Sequence, residues 1–190
     1  MINGSDLKLT LTDVVEILNI RGFKFHLTGG LASSFYGEPR FTQDIDVVIR
    51  VAAGASLDRL IQDLSQKFIV DGAAIEDAVR RQAVFQALHG RTMIKVDFHV
   101  GEAIHGELDR SHSVEILAGV MAPLVSREDA ILSKLIWVSE GSGKSRRDAK
   151  MMLRGNGEID FAYLRVQAAQ LGVEGILKEV TEELNADRRE

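Results

Sequence analysis

The chain has 190 residues, 45% of them hydrophobic and 27% charged, with no cysteine and two prolines. That length suits one domain with a buried core, and its aliphatic content with charges of both signs excludes a disordered chain. Lacking cysteine, it has no disulfide, thiolate zinc site or cysteine nucleophile, and a net charge of −5 disfavours a protein that coats nucleic acid over a broad face.

The opening MINGSDLKLT has no basic region followed by an apolar stretch, so no signal peptide is expected. The longest apolar run, Ile116–Val125, is broken by Gly119 and Pro123, too short for a membrane span. A cytoplasmic protein without a membrane partner is expected. Thr12-Asp13 predicts a helix start, with Val14, Ile17 and Leu18 on one stripe and an end at Arg21-Gly22. Phe23–Thr28 is a strand running into Gly29-Gly30, and Leu31–Tyr36 a short helix closed by Gly37, with Pro39 in the loop beyond. Asp44–Val51 is the clearest strand, and its apolar residues on both parities predict a central strand covered on both faces. Ser56 opens a helix through Gln66, with Leu57, Leu60, Ile61 and Leu64 on one stripe. Ala83–Leu88 and Thr92–Val100 flank a hairpin-like His89-Gly90-Arg91, and Ser113–Leu117 and Pro123–Val125 are weaker strands. Ser126-Arg127-Glu128-Asp129 has capping-box spacing before a helix over Ala130–Val138. Arg146–Leu153 and Phe161–Leu184, broken near Gly172, are helical too. The pattern is α+β: one domain over 1–190, with a sheet core at about 23–125 and a helical tail at about 126–190.

On a strand, Asp44 and Asp46 face the same way, roughly 6–7 Å apart at the backbone, and two such carboxylates can bridge a pair of Mg²⁺ ions. Taken alone, the pair reads first as solvated carboxylates at a strand start, since an Asp-x-Asp arises readily by chance. Gly29-Gly30, between a strand and a short helix, lets backbone N–H groups approach an anion, and Ser33 or Ser34 could add a hydroxyl. A third carboxylate, Asp97, lies between Val96 and Phe98 in a later strand. His99 shares its face with Asp97.

These features in this order resemble the nucleotidyltransferase superfamily of the DNA polymerase beta type, and more closely the branch of AbiE-type toxins and small bacterial nucleotidyltransferases. The resemblance rests on Gly29-Gly30, then Arg40-x-Thr42-x-Asp44-Ile45-Asp46, then the apolar-flanked Asp97, and covers about Phe23 to Leu153. It implies an antiparallel or mixed sheet with two metal-binding aspartates on one strand and a third on a neighbour. It also implies a nucleoside triphosphate with Mg²⁺, two ions, and transfer of the nucleotidyl group to a hydroxyl with release of pyrophosphate. Carried over by position, Gly29 and Gly30 cradle the β/γ phosphates, while Asp44, Asp46 and Asp97 hold metal. Asp97 also helps take the proton from the acceptor. Arg40 and Thr42 contact phosphate or support their loop. Leu132-Ser133-Lys134-Leu135 resembles the third motif, whose lysine reaches the nucleotide. Arg147-Asp148-Ala149-Lys150-Met151 resembles the fourth, except that Met151 stands where the toxins carry a second acidic residue. The acceptor left open is a tRNA end, a protein hydroxyl or a small molecule, and an antitoxin partner is implied. The alternative is a non-catalytic nucleotidyltransferase-like binding or regulatory domain.

Gly141-Ser142-Gly143-Lys144-Ser145 ends like a P-loop, but Val138 stands where that motif needs glycine, and helix rather than strand precedes it. Lys144, Arg146, Arg147, Lys150 and Arg154 form a basic cluster facing only Asp148 and Glu140 in the local sequence, suited to a triphosphate tail or an RNA end, or simply a solvated helix face. The five histidines form no helical i, i+4 pair, so no zinc site is expected, and Trp137 reads as part of a core helix.

Overall fold

The computed structural model describes residues 4–40, 42–51 and 57–187. Helix α1 (Gly4–Ile20) fully buries Leu11, Val14 and Leu18, and Gly22, at φ +67°, closes the turn after it. It begins earlier than Thr12. The Thr12 hydroxyl donates back to the Lys8 carbonyl at 2.9 Å, as a threonine inside a helix can, so this residue is interior rather than a cap. Strand β1 (Lys24–Leu27), helix α2 (Gly29–Tyr36) and strand β2 (Asp44–Arg50) follow. Helix α3 (Leu57–Lys67) matches the expected stripe through Leu60 and Leu64, and the expected opening residue, Ser56, lies outside the described residues.

Next come β3 (Phe68–Ile69), α4 (Gly72–Arg81), β4 (Val84–His89) and β5 (Lys95–Val100). The sequence reading did not include α4. Its signal was present: the Asp71 carboxylate caps it by accepting from the amides of Ala73 and Ala74, and Ile75 and Ala78 form its buried stripe. The short α5 (Glu107–Arg110) leads to β6 (His112–Leu117) and β7 (Val120–Leu124). The tail holds α6 (Arg127–Ser139), α7 (Gly143–Arg154), α8 (Phe161–Gln170) and α9 (Glu174–Asp187), with the break at Gly172 where it was expected.

Among the described residues the sheet has seven strands in the order β3-β4-β5-β2-β1-β7-β6, and it is mixed. Strand β2 is central: parallel to β5, with Asp46 opposite Asp97, and antiparallel to β1, with Leu27 opposite Val47. Its two faces differ. Ile45, Val47 and Ile49 are fully buried in the core with Val96 and Phe98 of β5 and the stripes of α1, α3 and α4. The opposite face carries Asp44, Asp46 and Val48, of which only Val48 is buried. The expectation of cover on both faces therefore holds for half the strand: near its start, one face is open to a cleft.

Helix α6 packs against α7 and α2, which carries the tail across that open face. The Ser126 hydroxyl accepts from the Asp129 amide at 3.1 Å, as the capping spacing predicts. The Asp129 carboxylate does not close the box. Fully buried, it accepts from the Arg110 guanidinium at 2.8 and 3.1 Å and from the Tyr163 hydroxyl at 2.7 Å, tying α5 and α8 to α6.

Candidate active site

The open face of β2 and β5 carries the predicted carboxylates. Asp44 and Asp46 alternate with buried residues on β2, and parallel register sets Asp97 directly beside Asp46. Strand β1 ends at Leu27, the chain turns at Thr28, and α2 starts with Gly29-Gly30 over Asp46. Both glycines are required there. Gly29 sits at φ +60°, and a Cβ on it would lie 1.8 Å from Asp46 Oδ2. A Cβ on Gly30 would lie 2.4 Å from the Thr42 hydroxyl oxygen. Thr28, in the N-cap position, makes no side-chain bond to the first amides of α2. The Gly30 amide lies 3.4 Å from Asp46 Oδ2, to which it donates.

Each carboxylate has its own environment. Thr42, buried, donates to Asp44 Oδ1 at 3.0 Å and to the Asp44 carbonyl at 3.1 Å, so it supports its loop and positions Asp44. Asp46 Oδ1 lies 3.5 Å from His99 Nε2, which places that histidine at the site as its shared face with Asp97 predicts. Burial pushes the Asp46 carboxyl up, but His99, Lys134 and the Gly30 amide together outweigh it and hold its pKa below the ordinary value. Asp97 Oδ2 is 2.7 Å from the Lys95 ammonium, while its Oδ1 is buried with no hydrogen-bond partner. Lys95 was not foreseen as a site residue. Its signal is its place two residues before Asp97, on the same strand face.

Asp148 of α7 joins the site to the tail: its Oδ2 accepts from Arg40 at 2.9 Å and lies 3.5 Å from Lys134 Nζ. Burial depresses the Lys134 pKa, against the pull of Asp148 and Asp46. Ser34 holds the loop before β2, donating to the carbonyls of Gly30 and Arg40, each at 3.0 Å. The Ser33 hydroxyl donates to the Gly29 carbonyl at 2.8 Å.

Two cavities meet here, sharing Lys144 and Asp148. The larger, about 320 Å³, is bounded by Gly29, Asp46, His99, Lys134 and Trp137 among others. The smaller, about 230 Å³, is bounded by Ser33, Arg40, Arg147 and Met151. Two expectations are corrected. Trp137 is not a core residue: it is 49% exposed and lines the larger cavity. The basic cluster does not face only Asp148 and Glu140, since α9 brings Glu183 to 2.5 Å from Arg146 and Asp187 to 2.7 Å from Lys150. Lys144 and Arg147 are the members that border the cavities. The P-loop-like segment is a helix connection in which Ser142 caps α7.

As these side chains stand, no three carboxylate or imidazole groups among the described residues converge closely enough to hold an ion. The backbone nevertheless sets three aspartates on one face. Asp97 Oδ1, buried and unpartnered, is the kind of oxygen a cation would satisfy, and an all-oxygen donor set suits a hard divalent ion.

Glycine turn, paired aspartates on one strand and a third beside them make a testable signature. The family model described as "Nucleotidyl transferase AbiEii toxin, Type IV TA system" matches residues 22–170. The chain belongs to this family. As a nucleotidyltransferase it is a transferase, of a family that generally uses a divalent metal. Its fold is similar to that of an antigenic nucleotidyltransferase-like protein from Paracoccidioides brasiliensis, with TM-score 0.58 and 18% identity over 97% of this chain and 94% of that one. It is also similar to ANT(2")-Ia, crystallised with adenylyl-2"-tobramycin, at TM-score 0.59 and 15% identity over 88% and 97% of the two chains. At such identities the likeness is one of fold. No curated protein matches the chain in sequence. Among the described residues no helix is long and apolar enough to cross a membrane.

Proposed function

We propose that this nucleotidyltransferase transfers a nucleotidyl group from a nucleoside triphosphate to a hydroxyl, on a tRNA end, a protein or a small molecule, and that it requires Mg²⁺. The observation that carries this reading is the register of Asp46 with Asp97, with Asp44 two residues back on the same face and Gly29 over Asp46. Asp44, Asp46 and Asp97 would hold the metal, in the two-ion arrangement suited to phosphoryl displacement. Bound there, Mg²⁺ would offset the charge that develops on the α-phosphoryl oxygens.

The chain's own groups do the rest. The backbone at Gly29-Gly30, at the start of α2, and the cations Arg40 and Lys134 bind the triphosphate, with Ser33 and Arg40 bordering the smaller cavity. The acceptor oxygen forms a bond to the α-phosphorus as the bond to the bridging oxygen of the β-phosphate breaks, and pyrophosphate leaves. The Asp97 carboxylate helps take the proton of the acceptor hydroxyl. The type IV toxin family supports an antitoxin partner, and a cysteine-free chain suits a cytoplasmic setting.

Isothermal titration of nucleoside triphosphates with and without Mg²⁺ tests the reading. Binding should require Mg²⁺ and weaken at least about tenfold in Asp44→Asn. Mg²⁺-independent binding that ignores this substitution would overturn it.

A further inference from the structure

Trp137 has no role in the reading above. It is the only tryptophan in the chain. On α6 its neighbours Leu132 and Leu135 are fully buried, while the indole is half exposed and forms part of the wall of the larger cavity. It stands one turn beyond Lys134. Residues at i and i+3 share a helix face, and three residues advance about 4.5 Å. One helix thus presents to one cavity a cation and then, a turn on, an aromatic surface.

The two cavities set the direction. The smaller has Arg40, Lys144 and Arg147 on its boundary. The larger shares Lys144 and Asp148 with it and continues past Asp46 to Val48, Ala103, Ile136 and Trp137. The smaller cavity gathers three cations beside Glu38 and Asp148, while the larger adds the apolar surface of Val48, Ala103, Ile136 and Trp137 to a boundary that also carries Glu107 and Glu140. A nucleoside triphosphate has the same polarity, with its tail anionic and its base flat and apolar on both faces.

We propose that Trp137 is the platform on which the nucleobase stacks, so that it sets affinity for the nucleoside half of the triphosphate and tolerates any of the four bases. This rests on the reading that the Gly29–Asp46 end of the cleft takes the phosphates. Every base has a π face, so stacking supplies affinity without selecting sequence.

The lone indole is its own probe. Titrating the full chain in Mg²⁺ with ATP, GTP, CTP and UTP should quench its fluorescence with each, whereas inorganic tripolyphosphate should bind with little quenching. By calorimetry, Trp137→Ala should weaken the four nucleotides about 5- to 150-fold and leave tripolyphosphate unchanged, while Trp137→Phe keeps most of the affinity. Nucleotide affinity unchanged in Trp137→Ala, or tripolyphosphate weakened equally, would overturn the assignment alone. Failure of the wild-type chain to bind either nucleotide or tripolyphosphate with Mg²⁺ would overturn the underlying reading with it.

Discussion

Replacing Gly29 by alanine puts a methyl carbon where Asp46 already is. The added Cβ would lie 1.8 Å from Asp46 Oδ2, 2.4 Å from its Cγ and 2.7 Å from its Cβ, so the carboxylate must swing away or the turn must move. The left-handed backbone at φ +60° costs an L-residue about 1–2 kcal/mol, and the reduced freedom of the unfolded chain returns up to about 1 kcal/mol. With the Gly30 amide contact disturbed as well, the net loss is about 1–3 kcal/mol. At about 2–4 °C per kcal/mol for a chain of this size, thermal unfolding should occur about 2–12 °C lower. Activity should fall further than stability, about 10²-fold, because a carboxylate displaced by an ångström no longer meets its partners. Melting by calorimetry and transfer measured on the same preparation separate the two effects. An alanine variant with wild-type melting and turnover would refute this geometry for the turn.

A pH effect is hidden in the pair beneath the larger cavity, where buried His26 and Glu107 face each other at 3.7 Å. Burial lowers the His26 pKa from 6.5 to about 4, so the folded chain binds fewer protons than the unfolded one and stability rises with pH across that window. Burial raises Glu107 from 4.5 to about 7, with the opposite sign: stability falls as pH rises. Each effect is about 3 kcal/mol, and over most of the range they cancel. Glu107→Gln should unmask the histidine, so that urea unfolding finds stability climbing by about 3 kcal/mol from pH 4 to 6.5 relative to wild type; parallel profiles would contradict it. Arg127 is a different case: its buried guanidinium donates to the carbonyls of Met152 at 2.9 Å, Gly155 at 2.7 Å, Asn156 at 2.8 Å and Gly157 at 3.0 Å, closing the end of α7. Lysine offers one compact cation in place of this fork, so Arg127→Lys should cost about 2 kcal/mol or more and lower melting by at least about 4 °C; unchanged melting would refute that role.

Strand alternation made two halves of the carboxylate face legible, Asp44 with Asp46 and Asp97 with His99, while setting the two strands side by side came from the family resemblance and is met by the β2–β5 register. The glycine pair was legible for the same local reason, and Gly29 meets it with both a positive φ and a closed approach to Asp46. What escaped depends on partners distant in sequence. Arg146 and Lys150 read as an open basic face because Glu183 and Asp187 arrive from α9, more than thirty residues away. Trp137 carried the apolar pattern of its helix, yet α6 turns that edge to the cleft. Glu107 was not singled out in the sequence, and it is buried with its carboxylate accepting from the amides of Ala103 and Ile104. The start of α1 moved to Gly4 because a threonine that resembles a cap also fits a helix interior.

Transfer from a nucleoside triphosphate labelled at the α-phosphate tests the central assignment most directly, with wild type and Asp97→Asn compared against tRNA, protein and small hydroxyl acceptors with and without Mg²⁺. The expected result is Mg²⁺-dependent incorporation of the α-label by wild type, reduced about 10²- to 10⁴-fold in Asp97→Asn while the nucleotide still binds. Incorporation at the wild-type rate by Asp97→Asn, or undiminished without divalent metal, would contradict it.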